Sequence, residues 1–164
     1  MTRLILHAAV FTVIAPGALT VAVPAIIIWT SGASATTGLR SLAAGALMVV
    51  GISVYVWCVR DFITSGKGTP APYQPPTELV VSGLYRSMRN PIYVGVTAII
   101  VGEAIMFGSP SLGVYGVLVL IGFHLRVILY EEPTLARSFG AEWERYLQAV
   151  PRWLPRLRSR PRGD

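Results

Sequence analysis

Four apolar runs divide the chain. The first covers about Leu4–Trp29, the second about Leu39–Ile63, the third starts at Ile92 and ends near Phe107, and the fourth covers about Ser111–Tyr130. A helix needs about 20 apolar residues to cross the hydrocarbon core of a bilayer. The first two runs are long enough, the fourth just reaches, and the third is short. Arg3 and the Ala33-Ser34-Ala35 tripeptide imitate a signal peptide, but the apolar core of such a peptide is about 7–15 residues. The first run is far longer and is expected to be a retained helix, kinked at Pro16 and Pro24. Gly108-Ser109-Pro110 is a tight turn, so the third and fourth runs form an antiparallel helical hairpin. Its polar ends then meet: RNPIYVG, from Arg89 to Gly95, and HLRVILYEEP, from His124 to Pro133. Pro133 is expected to stop the fourth helix. Beyond it, Leu135, Phe139, Trp143, Tyr146 and Val150 recur at spacings of four, four, three and four, one face of an amphipathic helix. Gly140 should bend that helix and Pro151 should end it. Such a helix belongs at the membrane interface, followed by a frayed arginine-rich tail.

Between the second and third runs lies a polar loop, from about Thr64 to Met88. Five of the twelve prolines lie in it or just beyond: Pro70, Pro72, Pro75, Pro76 and Pro91. Prolines make it extended and rigid rather than helical. Leu79-Val80-Val81 reads as a short extended piece and Ser82-Gly83 as a turn.

Composition agrees with a single all-α integral membrane domain of about four transmembrane helices and a C-terminal interfacial helix. Residues 1–63 form its N-terminal helical pair and residues 64–164 its functional core. Of 164 residues, 53% are hydrophobic and 13% charged, against about 25% charged in soluble domains. The net charge of +6 sits at the ends of apolar runs and in the tail, which suits lipid headgroups rather than nucleic acid. One side of the bundle holds Arg3, Arg60, Lys67, Arg86, Arg89 and the tail, the other Arg40 alone. This asymmetry places both termini in the cytoplasm. The lone Cys58 excludes an internal disulfide, and with two distant histidines it makes no metal site.

The informative polar residues cluster at the hairpin's polar end. Pro91 fits the first turn of a helix and Asn90 a helix N-cap. Capping and snorkelling arginines account for RNPIYVG locally. The pair Glu131-Glu132 is harder to explain so simply, since adjacent carboxylates at a helix end repel and are costly to desolvate. Arg86 and Arg89 are the expected ion-pair partners. The functional reading is a site whose carboxylates accept hydrogen bonds from hydroxyls or an amino group. His124, seven residues before Glu131, shares its face, whereas Arg126 points elsewhere. Glu103 lies about 15 Å along the helix from Tyr93, and Tyr115 across the turn is its expected partner.

The order of these residues resembles the isoprenylcysteine carboxyl methyltransferase and phospholipid N-methyltransferase superfamily. The resemblance rests on Gly83-Leu84-Tyr85-Arg86, Arg89-Asn90-Pro91, Tyr93 and Gly95. It continues through Glu131-Glu132, Leu135, Phe139-Gly140, Trp143, Tyr146 and Val150-Pro151-Arg152. It spans about Leu79 to Pro155. It implies an integral membrane enzyme that uses S-adenosylmethionine without a glycine-rich Rossmann fingerprint, and none is present. Carried over by position, the cofactor contacts would be Leu79, Val80, Tyr85, Asn90, Pro91, Ile92, Tyr93 and Glu131, with Arg89 and Glu132 in support. Membrane lipids and a lipophilic methyl acceptor are the implied partners. Two departures matter. Asn90 stands where the family usually has histidine and cannot titrate near neutrality. Val127 stands where prenyl-cysteine enzymes carry a substrate-carboxylate arginine, leaving the adjacent Arg126 as a candidate substrate contact. No catalytic nucleophile or metal is implied. Two other readings stay open: an NADPH-dependent lipid reductase, whose box is similar, and a non-enzymatic membrane adaptor.

Overall fold

The computed structural model describes residues 2–155; its regular elements are all helical, with no strand among those residues. Helix α1 (Thr2–Gly17) passes through a π-turn (Ala18–Ala22) into α2 (Val23–Ser31). Then come α3 (Leu39–Thr64), a 3₁₀ turn (Gly83–Arg86), α4 (Pro91–Met106) and α5 (Pro110–Arg126). A second π-turn (Val127–Glu131) leads into α6 (Glu132–Ala149). Three continuous helices, Thr2–Ser31, Leu39–Thr64 and Pro110–Ala149, are long and apolar enough to cross a membrane, while Pro91–Met106 is shorter. The tail beyond Pro155, expected to fray, lies outside the described residues.

Both π-turns stand two residues ahead of a proline, Pro24 and Pro133. Proline has no N–H and its ring crowds the carbonyl four residues back. A widened i→i+5 turn relieves that crowding and keeps the backbone helical. Pro133 therefore does not stop the fourth helix: the chain runs on into α6. Gly140 does bend α6, with φ 48° and ψ −123°.

The seam of the bundle is α3 against α4. Ala44, Gly51 and Cys58 of α3 are buried at seven-residue intervals, as are Gly95 and Gly102 of α4. Small residues let helix backbones approach closely, which is the main source of attraction between apolar helices in lipid. A Cβ on Gly51 would lie 2.6 Å from the Gly95 carbonyl oxygen, and one on Gly95 would lie 2.9 Å from that of Gly51. On the α5 side of the bundle, Tyr55, Val96, Ile100 and Phe123 form the central apolar cluster.

The short α4 is tied off at both ends. Its last carbonyls have no partner within the helix. Thr36 donates its backbone N–H and its hydroxyl to Met106 O at 2.7 and 2.8 Å, and Arg40 Nε donates to Ile105 O at 3.1 Å. Arg40 thus serves as a cation at a helix C-terminus. Gly108 (φ 54°) makes the turn, and Ser109 Oγ accepts from Leu112 N at 3.3 Å to start α5. Glu103 is buried, and Tyr115 does not satisfy it. The Tyr115 hydroxyl donates instead to Leu19 O at 2.9 Å, a carbonyl in the first π-turn, and Glu103 Oε2 has no partner among the described residues.

Glycine-to-alanine changes should have opposite signs at two places. Gly51→Ala forces the α3–α4 seam apart and is expected to cost about 1–3 kcal/mol. Gly113→Ala, where nothing lies within 4 Å of the new Cβ, should gain up to about 1 kcal/mol from helix propensity. Thermal unfolding of the two variants in detergent checks the pair.

Candidate functional site

The chain between α3 and α4 is folded onto the end of the bundle. Ser65 N and Gly66 N donate to Asp61 O, Gly68 N to Phe62 O, and Thr77 N to Gly66 O. Gly83 has φ 54° and packs against the Asp61 carboxylate so closely that a Cβ would lie 2.1 Å from Oδ2. This contact aims the 3₁₀ turn so that Tyr85 is buried beside Cys58 and Val80. Burial holds the Tyr85 phenol well above its ordinary pKa. The Tyr85 carbonyl accepts the Tyr146 hydroxyl at 2.8 Å, fastening α6 to the loop. Leu79 seals the same joint: the stripe of Leu135, Phe139, Trp143, Tyr146 and Val150 packs on it.

A cavity of about 260 Å³ opens among these parts. Leu79, Val80, Tyr85 and Ile92 give it apolar and aromatic walls, and Arg89, Asn90, Tyr93, Glu131 and Glu132 line its polar side. Arg126 lines it too. Pro91 does not; it is buried at the first turn of α4. The sequence therefore grouped residues that the fold does bring together. Phe62, Trp143, Tyr146, residues 69–72, Pro75 and Pro76 also line the cavity. None of these was nominated, although the aromatic stripe of α6 was visible.

The two adjacent carboxylates have separate partners. Glu132 accepts from Arg89 Nη1 at 2.9 Å and from Arg152 Nε and Nη2 at 2.8 and 2.9 Å. Arg152 closes a bidentate pair, whereas Arg86 is exposed and takes no part. The Arg89 backbone N–H also donates to Pro151 O at 2.9 Å, and its guanidinium lies 5.6 Å from the Trp143 ring centroid. Burial pulls the Arg89 pKa below its ordinary value, and the Glu132 charge opposes that pull. Its Nε atom is buried without a partner among the described residues. Asn90 stands at the N-cap position of α4, but its side chain does not cap: Nδ2 donates to Arg152 O at 3.2 Å. The asparagine thus holds the segment after α6 against the start of α4.

Glu131 accepts the Tyr93 hydroxyl, and Arg126 Nε donates to it at 2.8 Å and to the Tyr93 hydroxyl at 3.1 Å. The Tyr93 ring stacks on Phe123 with centroids 4.3 Å apart. Arg126 does not point elsewhere. In a regular α-helix residues five apart diverge, but the π-turn between them brings Arg126 and Glu131 to one side. The same extra residue spoils the seven-residue register of His124. Its Nδ1 accepts from Trp153 Nε1 at 3.3 Å, away from Glu131.

A profile of the phospholipid methyltransferase family matches residues 39–142. A probable protein-S-isoprenylcysteine O-methyltransferase from Oryza sativa subsp. indica is 40% identical over 83 residues, covering 51% of this chain and 44% of the relative. A protein-S-isoprenylcysteine O-methyltransferase from Rattus norvegicus is 31% identical over 123 residues, 71% of this chain and 42% of the relative. The nickel-cobalt-cadmium resistance protein NccN from Alcaligenes xylosoxydans xylosoxydans is 31% identical over 129 residues, 79% and 53% respectively. The chain spans about half the length of the curated relatives it matches.

Removing Glu132 leaves the Arg89 charge uncompensated, and that side chain is only 9% exposed. Glu132→Ala is expected to cost about 3–5 kcal/mol. Arg152→Ala removes a partner that is 33% exposed and should cost about 1 kcal/mol or less. Melting temperatures of the two variants, compared with the parent chain, test this ranking.

Proposed function

The chain belongs to the phospholipid methyltransferase family, and from that membership we propose that it is an S-adenosylmethionine-dependent methyltransferase acting on a lipophilic acceptor. S-adenosylmethionine supplies a methyl group already activated on a sulfonium, so the protein needs to provide placement and a water-poor site rather than a covalent nucleophile. Proximity and orientation alone can lower a barrier by about 7–11 kcal/mol.

The observation that carries this reading is the cavity with Glu131 held on one wall by Tyr93 and Arg126. A carboxylate fixed by two donors accepts hydrogen bonds from ligand hydroxyls or an ammonium group without moving. Arg89 adds a buried Nε that has no partner among the described residues, a donor suited to a ligand carboxylate. Tyr85, Trp143 and Tyr146 add aromatic surface for a purine or a cationic centre. Leu79, Val80 and Ile92 exclude water, and Pro91 and Asn90 fix the start of α4 that carries Tyr93. Glu132 holds Arg89 in place. No residue is assigned to proton transfer, since Asn90 cannot titrate. The charge asymmetry of the apolar runs supports a cytoplasmic position for the cavity and for both termini. The acceptor reaches the site from the bilayer.

Calorimetric titration of the full chain in detergent with S-adenosylhomocysteine is expected to give a saturable heat. Glu131→Ala and Tyr93→Ala should each weaken binding by about ten- to a hundredfold, the loss of a hydrogen bond to a charged group. An absence of heat with the parent chain, or a larger response to NADPH, would sink this function.

A further inference from the structure

One wall of the cavity is held from an unexpected quarter. Residues 69–72, with Pro75 and Pro76, line the cavity as a closed turn. Thr69 N donates to Gln74 O at 2.9 Å, Gln74 N to Ala71 O at 3.1 Å, and Ala71 N to Thr69 Oγ1 at 3.2 Å. The base of this loop is fixed by backbone packing: a Cβ on Gly68 would lie 2.6 Å from the Pro75 carbonyl oxygen. The tip reaches outward to α1. The Tyr73 hydroxyl donates to His7 O at 3.0 Å, His7 Nδ1 pairs with Gln74 Oε1, and the His7 and Tyr73 rings meet edge to face at 5.8 Å.

Helix α1 is weakly held by its own packing. Ala8 is its one buried residue among those described, and an open apolar groove of about 850 Å³ separates it from α3 and α4. Apart from the clasp to the loop, its polar tie to the bundle among the described residues is the Thr12–Tyr55 hydroxyl pair at 2.7 Å. The tip of the turn and the end of the helix therefore depend on each other.

We propose that His7 and Tyr73 are positioning residues, which hold the 69–74 turn closed over the cavity and so set how long a bound ligand stays. The effect on ligand binding rests on the cofactor reading above; the clasp itself does not. Opening the clasp frees the tip while the base stays fixed, and so opens the cavity along the wall that the turn forms. A ligand would then leave faster, with the Glu131 and Arg89 wall intact.

Two measurements on the full chain decide this. In the first, S-adenosylhomocysteine binding is followed as affinity and as dissociation rate. His7→Ala and Tyr73→Phe are expected to raise both the Kd and the dissociation rate, by about tenfold for the histidine change, the scale of one or two lost hydrogen bonds. His7→Asn, which keeps an N–H near the Nδ1 position, should recover part of the loss. Parent-like Kd and dissociation rate in both variants would overturn the proposal. In the second, amide hydrogen exchange without ligand should quicken at Thr69, Ala71 and Gln74 in His7→Ala and stay unchanged along α4. Unchanged exchange at those three amides would also overturn it. If the parent chain binds no S-adenosylhomocysteine, the cofactor reading fails and the exchange result still decides whether the clasp holds the turn.

Discussion

The site depends on one carboxylate with two arginines. Glu132 begins α6, Arg89 precedes α4, and Arg152 follows α6, so a single ion-pair knot fixes three distant stretches of chain. The backbone reinforces it, with Arg89 N donating to Pro151 O and Asn90 Nδ2 to Arg152 O. A buried ion pair is weak evidence of stability in itself, because desolvation offsets much of its attraction. What it supplies here is position. With Arg89, Asn90 and Glu132 fixed, the neighbouring Tyr93 and Glu131 can only project into the cavity between them.

The two halves of the Glu131-Glu132 pair consequently do different work. Glu132 spends its charge on Arg89 and Arg152. Glu131 faces the cavity, and its partners are a tyrosine and an arginine that also line it. Two carboxylates in sequence would repel if left together. The helix separates them by direction, and each gains its own cation.

Much of this was legible in the chain because helical hairpins are simple. The Gly-Ser-Pro turn fixes antiparallel neighbours, which puts Arg89–Tyr93 beside Glu131-Glu132 without any further information. The α3–α4 seam was legible too, in small residues seven apart at Ala44, Gly51 and Cys58 and at Gly95 and Gly102. Their regularity went unread because apolar runs look alike when only hydrophobicity is followed. Three placements were misjudged for one reason. Pro133 as a stop, Arg126 off the Glu131 face and His124 on it all assume regular α-helix periodicity. Local backbone geometry changed the period over five residues. Asn90 was misread differently: it has the right position and residue type for a cap, but a more distant carbonyl, at Arg152, takes its side chain. Such long-range competition cannot be seen in a local motif. The role of Thr69–Pro76 was hidden as well, since proline-rich sequence specifies stiffness but not the surface it will cover.

The π-turn at Val127–Glu131 also constrains how this chain can vary over evolutionary time. It amounts to one residue inserted in an otherwise regular helix. The turn takes up that residue within itself, so the helices on either side keep their facing. Deleting one of the four residues between Arg126 and Glu131 would restore the α-helix and leave that pair four apart, still on one side. A residue gained or lost in the regular helix beyond the turn has nothing to absorb it and would swing everything after it by about 100° around the axis. Lineages of this fold should therefore tolerate a one-residue difference within the turn and be held to a fixed count along α6.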